Sequence, residues 1–146
     1  MSKQREMAKG NYLITGAAMA AVVVMTSADA KSPPPPAEVA SRWESYFADS
    51  SYRQYRDPVI VRDGTNASLW KVSVPTPSMS KLGVPTIYER VTYDCVGKRK
   101  KIMEIKRFKA DGSIQPPPEK DVKLDSWFPT LSASDTLLLR EVCSSI

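Results

Sequence analysis

Two cysteines constrain this chain more than any other residues. Cys95 closes the stretch VTYDC, and Cys143 closes EVC near the C-terminus. The first stretch reads as the end of a strand and the second as the end of a helix. A bond between them would fix a sheet to a helix across a long loop. Whether the bond forms depends on the compartment, and the N-terminus addresses that.

The first nine residues carry Lys3, Arg5 and Lys9, and residues 12–25 (YLITGAAMAAVVVM) are apolar or small apart from Thr15. Ala28 and Ala30 follow in an A-x-A pattern. A basic head, a short apolar run and small residues at a cut site predict a Sec-type signal peptide over residues 1–30, cleaved after Ala30. The run is short for a spanning helix, which needs about 20 residues. No transmembrane segment is expected in the mature chain. No cysteine lies near the cut, so no lipid anchor is expected, and the mature protein is placed in the periplasm or outside the cell. Thiols oxidise there, so Cys95 and Cys143 are expected to pair.

The chain has 146 residues, which suits one domain. Its formal net charge is +5, one unit of which comes from the leading thirty residues. That balance is too mild to argue for nucleic acid. There is no histidine. Nucleophilic triads and His-ligated zinc or haem are thereby excluded. No Gly-rich phosphate loop and no metal-ligand spacing are present, so no cofactor is expected.

After the cut, residues 31–37 hold four consecutive prolines and read as a stiff, extended spacer. The domain proper is taken as residues 38–146. In residues 38–48, Val39, Trp43, Tyr46 and Phe47 fit a helical stripe, while alternation of Trp43, Ser45 and Phe47 fits a strand over 43–47, which the aromatic content favours. Residues 52–55 read as a short strand. Asp57-Pro58 marks a turn, followed by the apolar segment 59–62. Residues 67–74 alternate, with Ser68, Trp70, Val72 and Val74 as the core face and Leu69, Lys71 and Ser73 on the other. Residues 75–85, with three prolines, read as a loop. Residues 86–95 and 101–108 read as strands. Asp111-Gly112 predicts a type I′ hairpin, with residues 113–115 returning and Pro116–Pro118 ending the strand.

Ser132 and Asp135 have capping-box spacing. Leu138, Leu139, Val142, Cys143 and Ile146 then recur on one helical face. The expected fold is α+β: an antiparallel sheet of about five to six strands with a C-terminal helix packed on it and tied by one disulfide.

The order Asp63-Gly64, Trp70, Tyr93-Asp94-Cys95, Arg99, Phe108, Asp111-Gly112-Ser113, Trp127, Pro129, Ser132, Val142-Cys143 resembles the surface-adhesin protein E-like domain of exported bacterial proteins. The resemblance runs from Trp43 to the end of the chain. It implies an antiparallel sheet with a helix locked to it, and a role in adhesion. Haem binding has been proposed in that family, but without histidine a His-ligated haem does not carry over. No binding residue of the family falls within the shared motif.

The densest charge is Lys98, Arg99, Lys100 and Lys101, continued by Lys106, Arg107 and Lys109. These residues are the candidate binding site: a basic ridge for an anionic glycan, an acidic protein or lipid headgroups. The competing account is a solvated edge strand guarded by lysine. Trp43, Trp70 and Trp127 could form a sugar platform or sit in the core. Asp94, Asp121 and Asp125 show no spacing that suits acid–base work. The expectation is an exported, non-enzymatic domain that binds a macromolecular partner. The alternative is a periplasmic small-ligand binder with its cleft between sheet and helix.

Overall fold

The computed structural model describes residues 32–116 and 123–144. The expected signal peptide, Asp121 and Ile146 lie outside the described residues. The sheet has eight antiparallel strands. They are β1 (Glu44–Ala48), β2 (Tyr52–Arg56), β3 (Val61–Asp63), β4 (Asn66–Pro75), β5 (Thr86–Asp94), β6 (Arg99–Phe108), β7 (Ile114–Gln115) and β8 (Phe128–Pro129). Their order is β1-β2-β4-β5-β6-β7, with β3 added to β4 and β8 to β6. The count exceeds the expected five to six because β3 and β8 span only three and two residues. Strands that short carry almost no alternation to read.

The C-terminal helix, α3 (Ala133–Cys143), starts where Ser132 Oγ accepts from Asp135 N at 3.1 Å. Its apolar face, Leu138, Leu139 and Val142, packs on Ala67, Leu69, Val91, Tyr93 and Ile102. Cys95 and Cys143 are disulfide-bonded, with Cα atoms 5.5 Å apart. The bond and the α+β architecture agree with the sequence reading.

The reading of residues 67–74 needs correction. Both faces of β4 are buried, with Leu69 at 4% exposure beside Trp70 at 4%. Trp70, Val72, Tyr55 and Tyr88 form a second core on the face opposite α3, closed by Val39 and Trp43. Val39 lies in a short helix, α1 (Val39–Arg42), after a 3-10 turn at Pro36–Glu38. Tyr88 lies between Trp43 and Phe108, edge-on to both rings. Its hydroxyl donates to the Pro34 carbonyl oxygen at 2.7 Å. A buried tyrosine hydroxyl needs such a partner. The described part of the proline stretch therefore docks on the domain and is not a free-standing spacer. Prolines donate nothing, but their carbonyls still accept.

Three local expectations also shift. Within residues 75–85 the chain forms a short helix, α2 (Pro77–Lys81), with proline in its first turn, where a missing N–H costs nothing. The β6–β7 connection is not type I′. Gly112 N donates to Lys109 O, and Lys109 N to Ser113 O, both at 2.9 Å. Gly112 has φ +83°, while Asp111 is not left-handed. This is a three-residue loop, a type I turn closed by a glycine bulge. Finally, β6 starts at Arg99 rather than Lys101 and carries a bulge at Met103, between the pairs Val91–Ile102 and Arg90–Glu104.

Candidate functional site

That bulge decides where the basic residues go. Side chains alternate along a strand, and one inserted residue reverses the phase. Lys100 and Ile102 face α3. Beyond the bulge, Lys106 and Phe108 face the second core, with Lys106 Nζ 5.3 Å from the centre of the Trp70 ring. The expected ridge is therefore not one surface. Lys100 is only 7% exposed and belongs to the interior. Lys106 pairs with Glu104 at 3.3 Å. Arg107 lies opposite Ile87 and Gln115, away from the turn.

What remains together is Arg99 and Lys101 on the Trp127 ring, with Lys98 exposed at the adjoining turn. The Arg99 guanidinium and the Lys101 ammonium lie 5.2 and 5.1 Å from the Trp127 ring centre. Trp43 and Trp70 are core residues, whereas Trp127 is 36% exposed. Asp94 organises the β5–β6 turn. Its Oδ1 accepts from Gly97 N at 2.8 Å and Val96 N at 3.1 Å, and its Oδ2 from Arg99 Nη2 at 2.8 Å. The Gly97 amide, then the Arg99 guanidinium, hold the Asp94 carboxyl below the usual range. A Cβ on Gly97 would lie 2.3 Å from Asp94 Oδ2, so a larger residue there would displace the Asp94 carboxylate from its turn contacts. Lys98, at φ +51°, completes the turn. Asp125 takes Lys101 at 2.8 Å. Asp94 and Asp125 thus balance two of the cations.

A second cluster lies beneath α3, and sequence reasoning missed it. Asp135 is 6% exposed, and its carboxylate points into the sheet. Oδ1 accepts from Lys71 Nζ at 2.9 Å and from Tyr93 OH at 3.2 Å. Oδ2 accepts from Lys100 Nζ and from Ser132 Oγ. Lys71 also pairs with Glu89 at 3.0 Å. Burial opposes ionisation of Asp135, but Lys71 and then Lys100 outweigh it and hold the carboxyl far below its ordinary value. Burial and the neighbouring Lys71 push Lys100 down. Burial also opposes the charge on Lys71, and Glu89 leads the groups that overcome it. Two cations and two anions balance in a desolvated setting. The arrangement fastens the helix to the sheet. The hint in the sequence was Lys71 set between Trp70 and Val72.

An open cleft of about 500 Å³ lies between β1 and α3, lined by Ser45, Tyr46, Leu137, Arg140, Glu141 and Ser144. Arg56 holds Glu141 at 3.2 Å, and Tyr46 donates to Gln54 at 2.6 Å. Among the described residues, no group of three or more His, Cys, Asp or Glu is placed to hold a metal ion. No described helix is long and apolar enough to cross a membrane. No family model, curated protein or solved structure matches the chain.

Proposed function

We propose that the protein is an exported, non-enzymatic envelope domain that binds an anionic partner through the edge formed by the β5–β6 turn and Trp127. The observation that carries this reading is the pair of cations, Arg99 and Lys101, held on one half-exposed tryptophan beside the exposed Lys98. Cation–aromatic contact fixes the charges in place while leaving them accessible. A formed disulfide suits an oxidising compartment and so favours export. The surface-adhesin protein E-like resemblance points the same way, towards adhesion.

The test is heparin affinity of the domain. Lys98→Ser, Arg99→Ser and Lys101→Ser together should lower the salt needed for elution, while Lys109→Ser should not. Unchanged elution of the triple variant ends the proposal. Lys100 is left intact because its loss would unsettle α3. The small-ligand alternative is favoured by the β1–α3 cleft, where Arg140 offers a cation for an anionic group. Saturable binding of a small anion, abolished by Arg140→Ala, would move the function there.

A further inference from the structure

The edge around Trp127 is not only basic. Val96 is 74% exposed, Leu131 86% and Leu124 50%, beside Trp127 itself. The backbone brings these residues together. β8 pairs Pro129 with Arg99 and Phe128 with Lys100. Thr130 Oγ1 donates to Lys98 O at 3.3 Å, and Asp125 N to Ile102 O at 2.8 Å. The segment 124–131 is therefore laid along residues 98–102, with Val96 at the adjoining turn. Lys98, Arg99, Lys101 and Lys123 are interleaved with the apolar side chains. Asp94 and Asp125 offset Arg99 and Lys101, and among the described residues Lys98 and Lys123 make no ion pair. The strip is amphipathic with a net positive charge.

Exposed aliphatic groups on a folded domain add nothing to the recognition of a sulfated sugar, but they fit a surface that is charged outside and apolar a few ångströms further in. Tryptophan favours that depth, and flanking lysines meet anionic headgroups. We propose that this edge docks on an anionic phospholipid bilayer. Val96, Leu124, Leu131 and Trp127 enter the headgroup layer, and Lys98, Arg99, Lys101 and Lys123 meet the phosphates. The inference rests on the reading of an anionic partner at this site and adds its identity.

The test is flotation of the oxidised domain with vesicles of phosphatidylcholine alone and of phosphatidylcholine with phosphatidylglycerol in equal parts. The two cations that make no ion pair among the described residues, Lys98 and Lys123, predict partitioning about thirtyfold stronger on the anionic vesicles. Tryptophan emission should move to shorter wavelength on binding, and Trp127→Phe should remove the shift because Trp43 and Trp70 are already buried. A variant with Val96→Ser, Leu124→Ser and Leu131→Ser should lose partitioning at least about tenfold and keep its heparin elution. Equal flotation of that variant, or equal flotation on neutral vesicles, overturns the proposal. Retention on heparin or polyglutamate without flotation overturns it too, and leaves a glycan or acidic protein as the anionic partner. Failure to bind any of these surfaces sinks this inference and the underlying reading together.

Discussion

At the scale of single residues, Asp135 does two things. Its backbone N–H is capped by Ser132, and its side chain compensates Lys71 and Lys100. Asp135→Asn keeps the shape and leaves two buried ammonium groups sharing one remaining carboxylate. Breaking a buried pair from one side costs about 3–5 kcal/mol, and a urea titration should show a loss of that order. The pH dependence follows from the depressed folded-state pKa. Stability from this group is complete above the ordinary carboxylate pKa of about 3.9. It is lost as the pH falls from there through the lower folded value. Unfolding midpoints should therefore hold from neutrality to about pH 5 and then fall, and Asp135→Asn should flatten that fall. In the sequence, Asp135 was legible as a cap but not as a counter-ion. A lysine on a strand normally counts as a water-facing residue, and nothing local reveals that Lys71 and Lys100 converge on one carboxylate from two strands.

At the scale of elements, α3 is fastened at both ends: by the charge cluster at its first turn and by Cys143 at its last. The helix itself was readable, because Leu138, Leu139 and Val142 share one face and Ser132 announces the start. Eleven residues make a helix that is marginal alone. The disulfide spans 48 residues, and closing a loop of that size contributes about 4 kcal/mol in the chain-entropy model. Cys95→Ser should lower the melting temperature sharply, and a reductant should reproduce that effect on the unmodified protein but add nothing to the variant. Equal melting with and without reductant would contradict this account. The elements that stayed hidden include α2, which reads as a loop, β8, whose two residues include a proline, and the bulge at Met103. The bulge matters most for the site. A plain alternation puts Lys100 and Lys106 on one face, whereas the bulge sends them to opposite ones.

At the scale of the whole molecule, the sheet is covered on both faces: by α3 on one and by residues 34–43 on the other. Alternation along β4 predicts a single covered face, as in an antiparallel sheet with one side in water. Trp70 and Leu69 are consecutive and equally buried, which only a two-sided core allows. The cover also gives the proline stretch a part in the fold. Its contribution is one carbonyl offered to Tyr88, and composition does not advertise acceptors.

The disulfide has a mechanical consequence as well. Tension between the ends of the chain runs along the backbone to Cys95, crosses the sulfurs and leaves through Cys143. The chain between them, which holds β6, β7, β8 and nearly all of α3, lies outside the load path. Stretching the oxidised molecule should release a contour length about 170 Å shorter than stretching the reduced one, from 48 residues at about 3.5 Å each. Equal lengths in the two states would show that the shunt does not exist. The segment that carries Arg99, Lys101 and Trp127 is thus never drawn out by force while the sulfurs stay joined.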